Sequence, residues 1–199
     1  MGARWDRPVE TRRLAVNVDV DSLSLYHDIH GLDPDGASDA CWEVGVPRFL
    51  ELFEAHDLRA TFFCVASDLS RPGPRRVAQE AVARGHELAS HTLTHPYDLI
   101  HQDDAAIEAE IAGAETALAE LRGAPVAGFR APGYNLSPTV LKVLERRGYR
   151  YDSSRFPCPA YFLLRAGIIS GMRVVGRTSK SIVGDLKAPF GPRHPHRMV

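Results

Sequence analysis

The sequence predicts an α/β fold built on a parallel sheet, on three observations. Short apolar, β-branched segments alternate with segments of helical periodicity over most of the chain. Polar residues gather just after the predicted strands rather than before them, on the C-terminal face where β/α barrels carry their sites. The 199 residues suffice for one domain with a sizeable core, and no internal repeat or low-complexity segment divides them.

The elements follow in order. Leu14–Val20 reads as a buried strand whose end carries Asp19 and Asp21. The polar, Gly- and Asp-rich stretch from Ser22 to Ala40 reads as a long loop. Val46–Ala55 has apolar residues at helical spacing, and Arg59–Val65 reads as the second strand. Pro74–Arg84 is a predicted helix with Gly85 as its stop, followed by a short strand at Glu87–Ser90. Asp103–Leu121, rich in Ala, Glu and Leu, is the clearest helix. Val126–Phe129 is a strand running into Arg130. Ser137–Arg147 is a helix with Ser137 as N-cap and Pro138 at its first position, Gly148 stops it, and Tyr149–Tyr151 begins another strand. Beyond Ser154 the pattern fades. A strand over Met172–Val175 is the one element expected in a basic, Pro-containing tail. The domain is therefore read as a single unit over 1–199, with its core at about 13–154 and a poorly defined tail at 155–199.

Composition excludes several function classes. Apolar and charged fractions of 44% and 25% are those of an ordinary globular chain. A net charge of -1 gives no electrostatic reason to expect nucleic acid or an anionic membrane as partner. No apolar run reaches membrane-spanning length, and no apolar h-region follows the N-terminal arginines. The cysteines Cys41, Cys64 and Cys158 are odd in number and form no CxxC pair, which reads as reduced thiols in a cytoplasmic compartment.

The chemistry-bearing residues sit after strands. His91 and His95, four residues apart, could share one ion from a helical turn; an isolated pair of this kind is more often two solvated histidines. A carboxylate at another strand end changes the balance, and Asp21 is the third candidate ligand. One carboxylate and two imidazoles leave coordination positions open, as a catalytic metal requires. Asp19 lies two residues before Asp21, so along a strand both face the same way. Two adjacent buried carboxylates repel unless a cation neutralises one, which would leave Asp19 ionised and able to act as a base. Arg130 ends a buried-looking strand and needs a carboxylate partner, a place Asp19 would fill. Pro132 and Gly133 then make a tight bend that can turn a backbone N–H toward a ligand.

The segments NVDVDS, SHTLTH and FRAPGYN, in this order and with ATFF between the first two, resemble the polysaccharide deacetylase family, carbohydrate esterase family 4, over about 14–154. The first motif resembles the subgroup whose two aspartates are separated by one residue. The resemblance implies a distorted (β/α) barrel of seven strands and hydrolysis of an N-acyl group, N-acetyl on an amino sugar, by metal-activated water. It implies Asp19 as general base oriented by Arg130, and Asp21, His91 and His95 as metal ligands. It places Pro132, Gly133 and Tyr134 at the acyl pocket and oxyanion. Zinc is the default ion, and cobalt or nickel suits the same donors. The family's closing Leu-x-x-His motif, whose histidine protonates the leaving amine, has no counterpart; His194 and His196 lie in the Pro- and Arg-rich tail and are not assigned that role. The expectation is a family member that stops short of its last strands. Two alternatives stay open: a silent metal- or carbohydrate-binding protein, and an allantoinase-like hydrolase of cyclic amides. Asp152 is expected in a turn or at the edge of the site, His27 and His30 in the loop after Asp21, and His56, His86 and His101 in structural roles.

Overall fold

The computed structural model describes residues 14–33 and 38–174. Its strands are β1 (Val16–Val20), β2 (Ala60–Cys64), β3 (Glu87–Ser90), β4 (Gly128–Phe129) and β5 (Tyr151–Asp152). They form one parallel sheet in the order β1-β2-β3-β4-β5. Each strand pairs with the next in sequence and the order never reverses. That is the succession of a barrel wall rather than of a doubly wound sheet, which has a switch point. The register puts Val20, Cys64, Ser90, Phe129 and Asp152 in one transverse row. The residues immediately past that row include Asp21, His91 and Arg130, so the register alone brings the sequence-predicted site to one edge.

The helices are α1 (Leu23–Ile29), α2 (Val46–Ala55), α3 (Pro72–Ala83), α4 (Asp104–Arg122), α5 (Pro138–Arg146) and α6 (Pro159–Val174). Helix α4 starts at an Asp103 cap that accepts from Ala106 N at 2.8 Å, and ends at Gly123 with φ 63°. Helix α5 starts at a Ser137 cap that accepts from Val140 N at 3.3 Å. Both caps supply an acceptor for an N–H with no intrahelical partner. Pro47 has no N–H for the carbonyl four residues back, and the chain opens into a π-helical turn over Cys41–Gly45 just before it.

The core forms two clusters. Trp42, Leu50, Phe53, Phe62, Leu69 and Leu88 pack between the first three strands and their helices. Leu99, Ile107, Ile111, Phe129, Val140 and Leu144 pack under the last two strands. Phe129 is fully buried and directly precedes Arg130. Phe129→Ala is expected to cost about 3–5 kcal/mol through lost transfer energy and the cavity left behind. Denaturant unfolding measures it, and a loss under about 1 kcal/mol would mean that this strand end collapses around the gap.

Three sequence expectations are corrected. The Ser22–Ala40 loop contains helix α1; the glycine and aspartate bias that argued for a loop lies mostly beyond its end, and seven residues are too few to show periodicity. Met172–Val174 is the last part of helix α6 rather than a strand, and Val175 lies outside the described residues. A four-residue window of Met, Arg and Val scores as strand, but α6 buries Phe162 and Ile169, seven residues apart on one side of a helix. The stretch after 155 is thus structured over Pro159–Val174, and 175–199 lie outside the described residues. The other elements match their predicted ranges to within about two residues. Among the described residues no helix is long and apolar enough to cross a membrane.

Candidate metal centre

His91 follows β3 directly, and its N–H donates to Cys64 O at 3.0 Å. Its Nδ1 lies 2.7 Å from the Arg130 carbonyl. A carbonyl oxygen only accepts, so Nδ1 carries the proton and Nε2 presents a lone pair. His95 reaches the same point by a different route from the helical turn expected. Thr92 and His95 both have left-handed backbone, at φ 67° and 62°, and no helix forms between them. This strained loop is tied down from outside. Glu110 on α4 accepts from Leu93 N at 3.1 Å, Thr94 N at 2.9 Å and Thr94 Oγ1 at 2.7 Å, and Thr92 Oγ1 accepts from His95 N at 3.0 Å. Gly113 leaves room for the loop, since a Cβ there would lie 2.7 Å from Leu93 Cδ2.

Asp21 Oδ1 lies 3.6 Å from His91 Nε2 and 3.7 Å from His95 Nε2. These separations are too long for good hydrogen bonds. Two donors each about 2.1 Å from a shared tetrahedral ion would be about 3.4 Å apart. Asp21 Oδ1 is buried with no hydrogen-bond partner, and the three ligand atoms all lie within 4.8 Å of one another. An orphaned carboxylate oxygen facing two imidazole nitrogens, that of His91 presenting its lone pair, fits a divalent cation in size and donor chemistry. Burial raises the pKa of Asp21, opposed by His91 and reinforced by Asp19. Burial lowers that of His95 to about 3, which keeps the ring neutral for ligation.

Asp19 stands beside this cluster. Its Oδ1 is ion-paired with Arg130 Nη1, and its Oδ2 accepts from the Tyr134 hydroxyl at 3.2 Å. Arg130 is buried and held on every side. Its Nε donates to Ser153 O at 3.1 Å, its Nη2 to Ser153 Oγ at 2.7 Å, and its guanidinium lies 4.1 Å from the Phe63 ring centroid. Asp152 turns away from the cavity: it accepts from Ser154 N and Oγ, and Ser154 Oγ accepts from Ala131 N at 2.8 Å. Its role is to brace the turn after Arg130.

Pro132–Tyr134 forms a 3-10 turn with left-handed backbone at Gly133 (φ 60°) and Tyr134 (φ 61°). Gly133 and Tyr134 line the cavity, whereas Pro132 is buried and does not line it. The Tyr134 N–H, expected to face an oxyanion, donates to Ala131 O at 3.0 Å within the turn. Burial raises the Tyr134 hydroxyl to about 12, so it stays protonated and donates to Asp19.

The cavity holds about 380 Å³. Sequence reasoning missed much of its wall. Tyr26 on α1 donates to Asp21 Oδ2 at 3.4 Å, and burial raises its hydroxyl to about 12. Tyr97 packs edge-on against His95, with centroids 4.6 Å apart. Tyr161, Leu164 and Arg165 come from α6. Tyr26, five residues after Asp21, was within reach of a helix prediction; the α6 residues carried no local signal. His30 lines the cavity, whereas His27 Nδ1 is bonded to Asp33 O at 2.7 Å. His86 accepts from Ala60 N at 3.1 Å between Phe53 and Phe62, a structural place. His194 and His196 lie outside the described residues.

Fold and site together define an α/β barrel-type protein whose strand ends carry an acid beside three metal-capable donors. The chain belongs to the polysaccharide deacetylase family, whose model matches residues 37–151. That match takes in His91, His95 and Arg130 and begins after Asp19 and Asp21. The chain is 26% identical over 145 residues to a peptidoglycan deacetylase of Helicobacter pylori, covering 71% of this chain and 48% of that one. It is similar in structure to a protein of Mycobacterium smegmatis assigned to the polysaccharide deacetylases, with a TM-score of 0.62, 27% identity, and 70% and 50% of the two chains covered. A carbohydrate esterase family 4 pseudoenzyme of Bacillus anthracis shares the fold at a TM-score of 0.56 and 16% identity, with 87% and 56% covered. The chain spans about half the length of the curated relative it matches.

Proposed function

We propose that this chain is a metal-dependent hydrolase that removes an N-acetyl group from an amino sugar of a polysaccharide or oligosaccharide. The observation that carries this reading is the position of Asp19. It lines the same cavity as the Asp21, His91 and His95 donors, with an arginine and a phenol holding one carboxylate oxygen each. A structural aspartate has no need of such a setting at the mouth of a cluster of ligands. The similarity to peptidoglycan deacetylase supports the substrate class.

A divalent cation held by Asp21, His91 and His95 would supply Lewis-acid activation of water and of the acyl carbonyl; zinc suits one oxygen and two nitrogens, as do cobalt and nickel. Asp19 accepts the proton released as the water oxygen bonds to the acyl carbon. The C–N bond then breaks, acetate forms, and the departing nitrogen takes up a proton; no described residue is assigned as its donor. Arg130, ion-paired with Asp19, keeps that carboxylate aimed into the cavity. Tyr134 steadies the second carboxylate oxygen. The tyrosine rings of the cavity wall offer flat faces for a pyranose.

The experiment is acetate release from N-acetylated peptidoglycan fragments and chitooligosaccharides. Release that stops with a chelator and returns with zinc supports the reading. No release by zinc-loaded protein would sink it in favour of a silent metal- or carbohydrate-binding protein. Turnover of small cyclic ureides in place of sugars would favour the allantoinase-like alternative.

A further inference from the structure

Helix α6 reaches Tyr134 twice. Arg165 Nη1 donates to the Gly133 carbonyl at 2.8 Å. Tyr161 meets the Tyr134 ring edge-on, with centroids 5.9 Å apart, and Phe156, just before the helix, stacks on that ring at 4.9 Å. The arginine fills the space a side chain at position 133 would need. A Cβ on Gly133 would lie 2.7 Å from Arg165 Nη2, 3.0 Å from Nη1 and 3.1 Å from Tyr97 Cδ1. The glycine thus serves both its φ of 60° and the approach of the guanidinium.

The Gly133 carbonyl and the Tyr134 N–H belong to one planar peptide unit, so a donor on the oxygen sets the orientation of the whole plane. Tyr134 is itself left-handed, a conformation that a bulky residue keeps only where its surroundings over-determine it. Its N–H is held by Ala131 O and the peptide's carbonyl end by Arg165. The hydroxyl at the far end of the same residue rests on Asp19 Oδ2 at 3.2 Å.

We propose that Arg165 is a positioning residue for deacetylation: by clamping the Gly133–Tyr134 peptide it sets the Tyr134 hydroxyl on the base Asp19. This rests on the deacetylase reading above. It gives α6 a defined part in the site, and it explains why a strained turn of glycine and tyrosine persists beside the base.

The full chain, zinc-loaded, is compared with Arg165→Ala, Arg165→Lys and Tyr134→Phe and with the Arg165→Ala/Tyr134→Phe double variant. Arg165→Ala is expected to lower kcat roughly tenfold to a hundredfold with KM changed less than about threefold, the signature of a misplaced group rather than a lost substrate contact. Arg165→Lys, which keeps a donor for the carbonyl, recovers most of the loss. In the Tyr134→Phe background Arg165→Ala costs little more, because both act on one hydrogen bond. Amide exchange over 130–136 rises in Arg165→Ala while exchange over 159–174 does not. Equal kcat, a rise in KM alone, additive losses, or unchanged exchange over 130–136 would each overturn the proposal. Faster exchange over 159–174 in Arg165→Ala would show undocking of the helix and also count against it. A wild-type chain without turnover would sink the deacetylase reading and with it the catalytic part; the exchange measurement separates that outcome from failure of the clamp itself.

Discussion

Asp19→Asn is expected to lower kcat by a factor on the order of 10² to 10⁴, the range a positioned general base contributes. Asparagine keeps the size of the side chain and an oxygen that can accept from Arg130. It cannot take up a proton from water at neutral pH. The proposed ligands Asp21, His91 and His95 are untouched, so zinc affinity should stay near that of the unaltered chain. The result therefore separates a base from a ligand: steady-state kinetics should collapse while a calorimetric zinc titration does not. Activity within about threefold of the parent would remove Asp19 from the mechanism. A matching loss of zinc affinity would make it a ligand. Arg130 is 8% exposed, so the substitution leaves a nearly buried cation without its counter-charge. A modest fall in stability accompanies the kinetic loss, softened because Ser153 still accepts from Nε and Nη2.

His95→Ala is expected to abolish measurable turnover and to weaken zinc binding by more than about a hundredfold, beyond the 10–100-fold typical of outer partners of a ligand. The metal-free protein should lose only the stability that goes with the ring's packing against His91 and Tyr97. The His95 ring is buried, its Nδ1 has no hydrogen-bond partner, and its Nε2 faces an equally unsatisfied Asp21 oxygen. A residue held for packing would show the reverse pattern: lower stability without metal and unchanged zinc affinity. Thermal unfolding with and without zinc discriminates the two. The parent gains stability with zinc by mass action on the folded state, and the variant loses that gain. An undiminished zinc-dependent rise in Tm for His95→Ala would reject the three-residue centre.

The parts of the site that could be read along the chain are those where a functional residue sits next to a strand end. Asp19 and Asp21 close a β-branched run, His91 follows a short strand, and Arg130 follows Phe129. A parallel register then had only one edge to place them on. The helix after Ser137 was legible for a related reason: Ser137 accepts from an N–H three residues on, and Pro138 lacks the N–H that the first helical position leaves without a partner. Helices α1 and α6 were not. The first is too short for its period to stand out from polar neighbours. The second carries glycines at 167 and 171 and leaves Leu163, Leu164 and Ile168 exposed, so its periodic signal is blurred. The expected helical turn between His91 and His95 failed because four-residue spacing also fits a loop with two left-handed residues, and that loop stands only because Glu110 and Gly113 of α4 accommodate it.

By itself, then, the sequence determined the α/β class, the strand-end position of the acids and imidazoles, and the pairing of Arg130 with a carboxylate. Each follows from period, capping chemistry or burial cost, which act within a few residues or on one residue at a time. Only the tertiary structure decided that three donors 70 or more residues apart in part of their span meet within 4.8 Å, that Tyr134 and Arg130 divide the two oxygens of Asp19, and that α6 closes the cavity through Tyr161 and Arg165. Those meetings depend on strand register and on loop backbones held in left-handed conformations by distant side chains. No local pattern encodes either, because the energy that favours them is paid out across the sheet rather than along the chain.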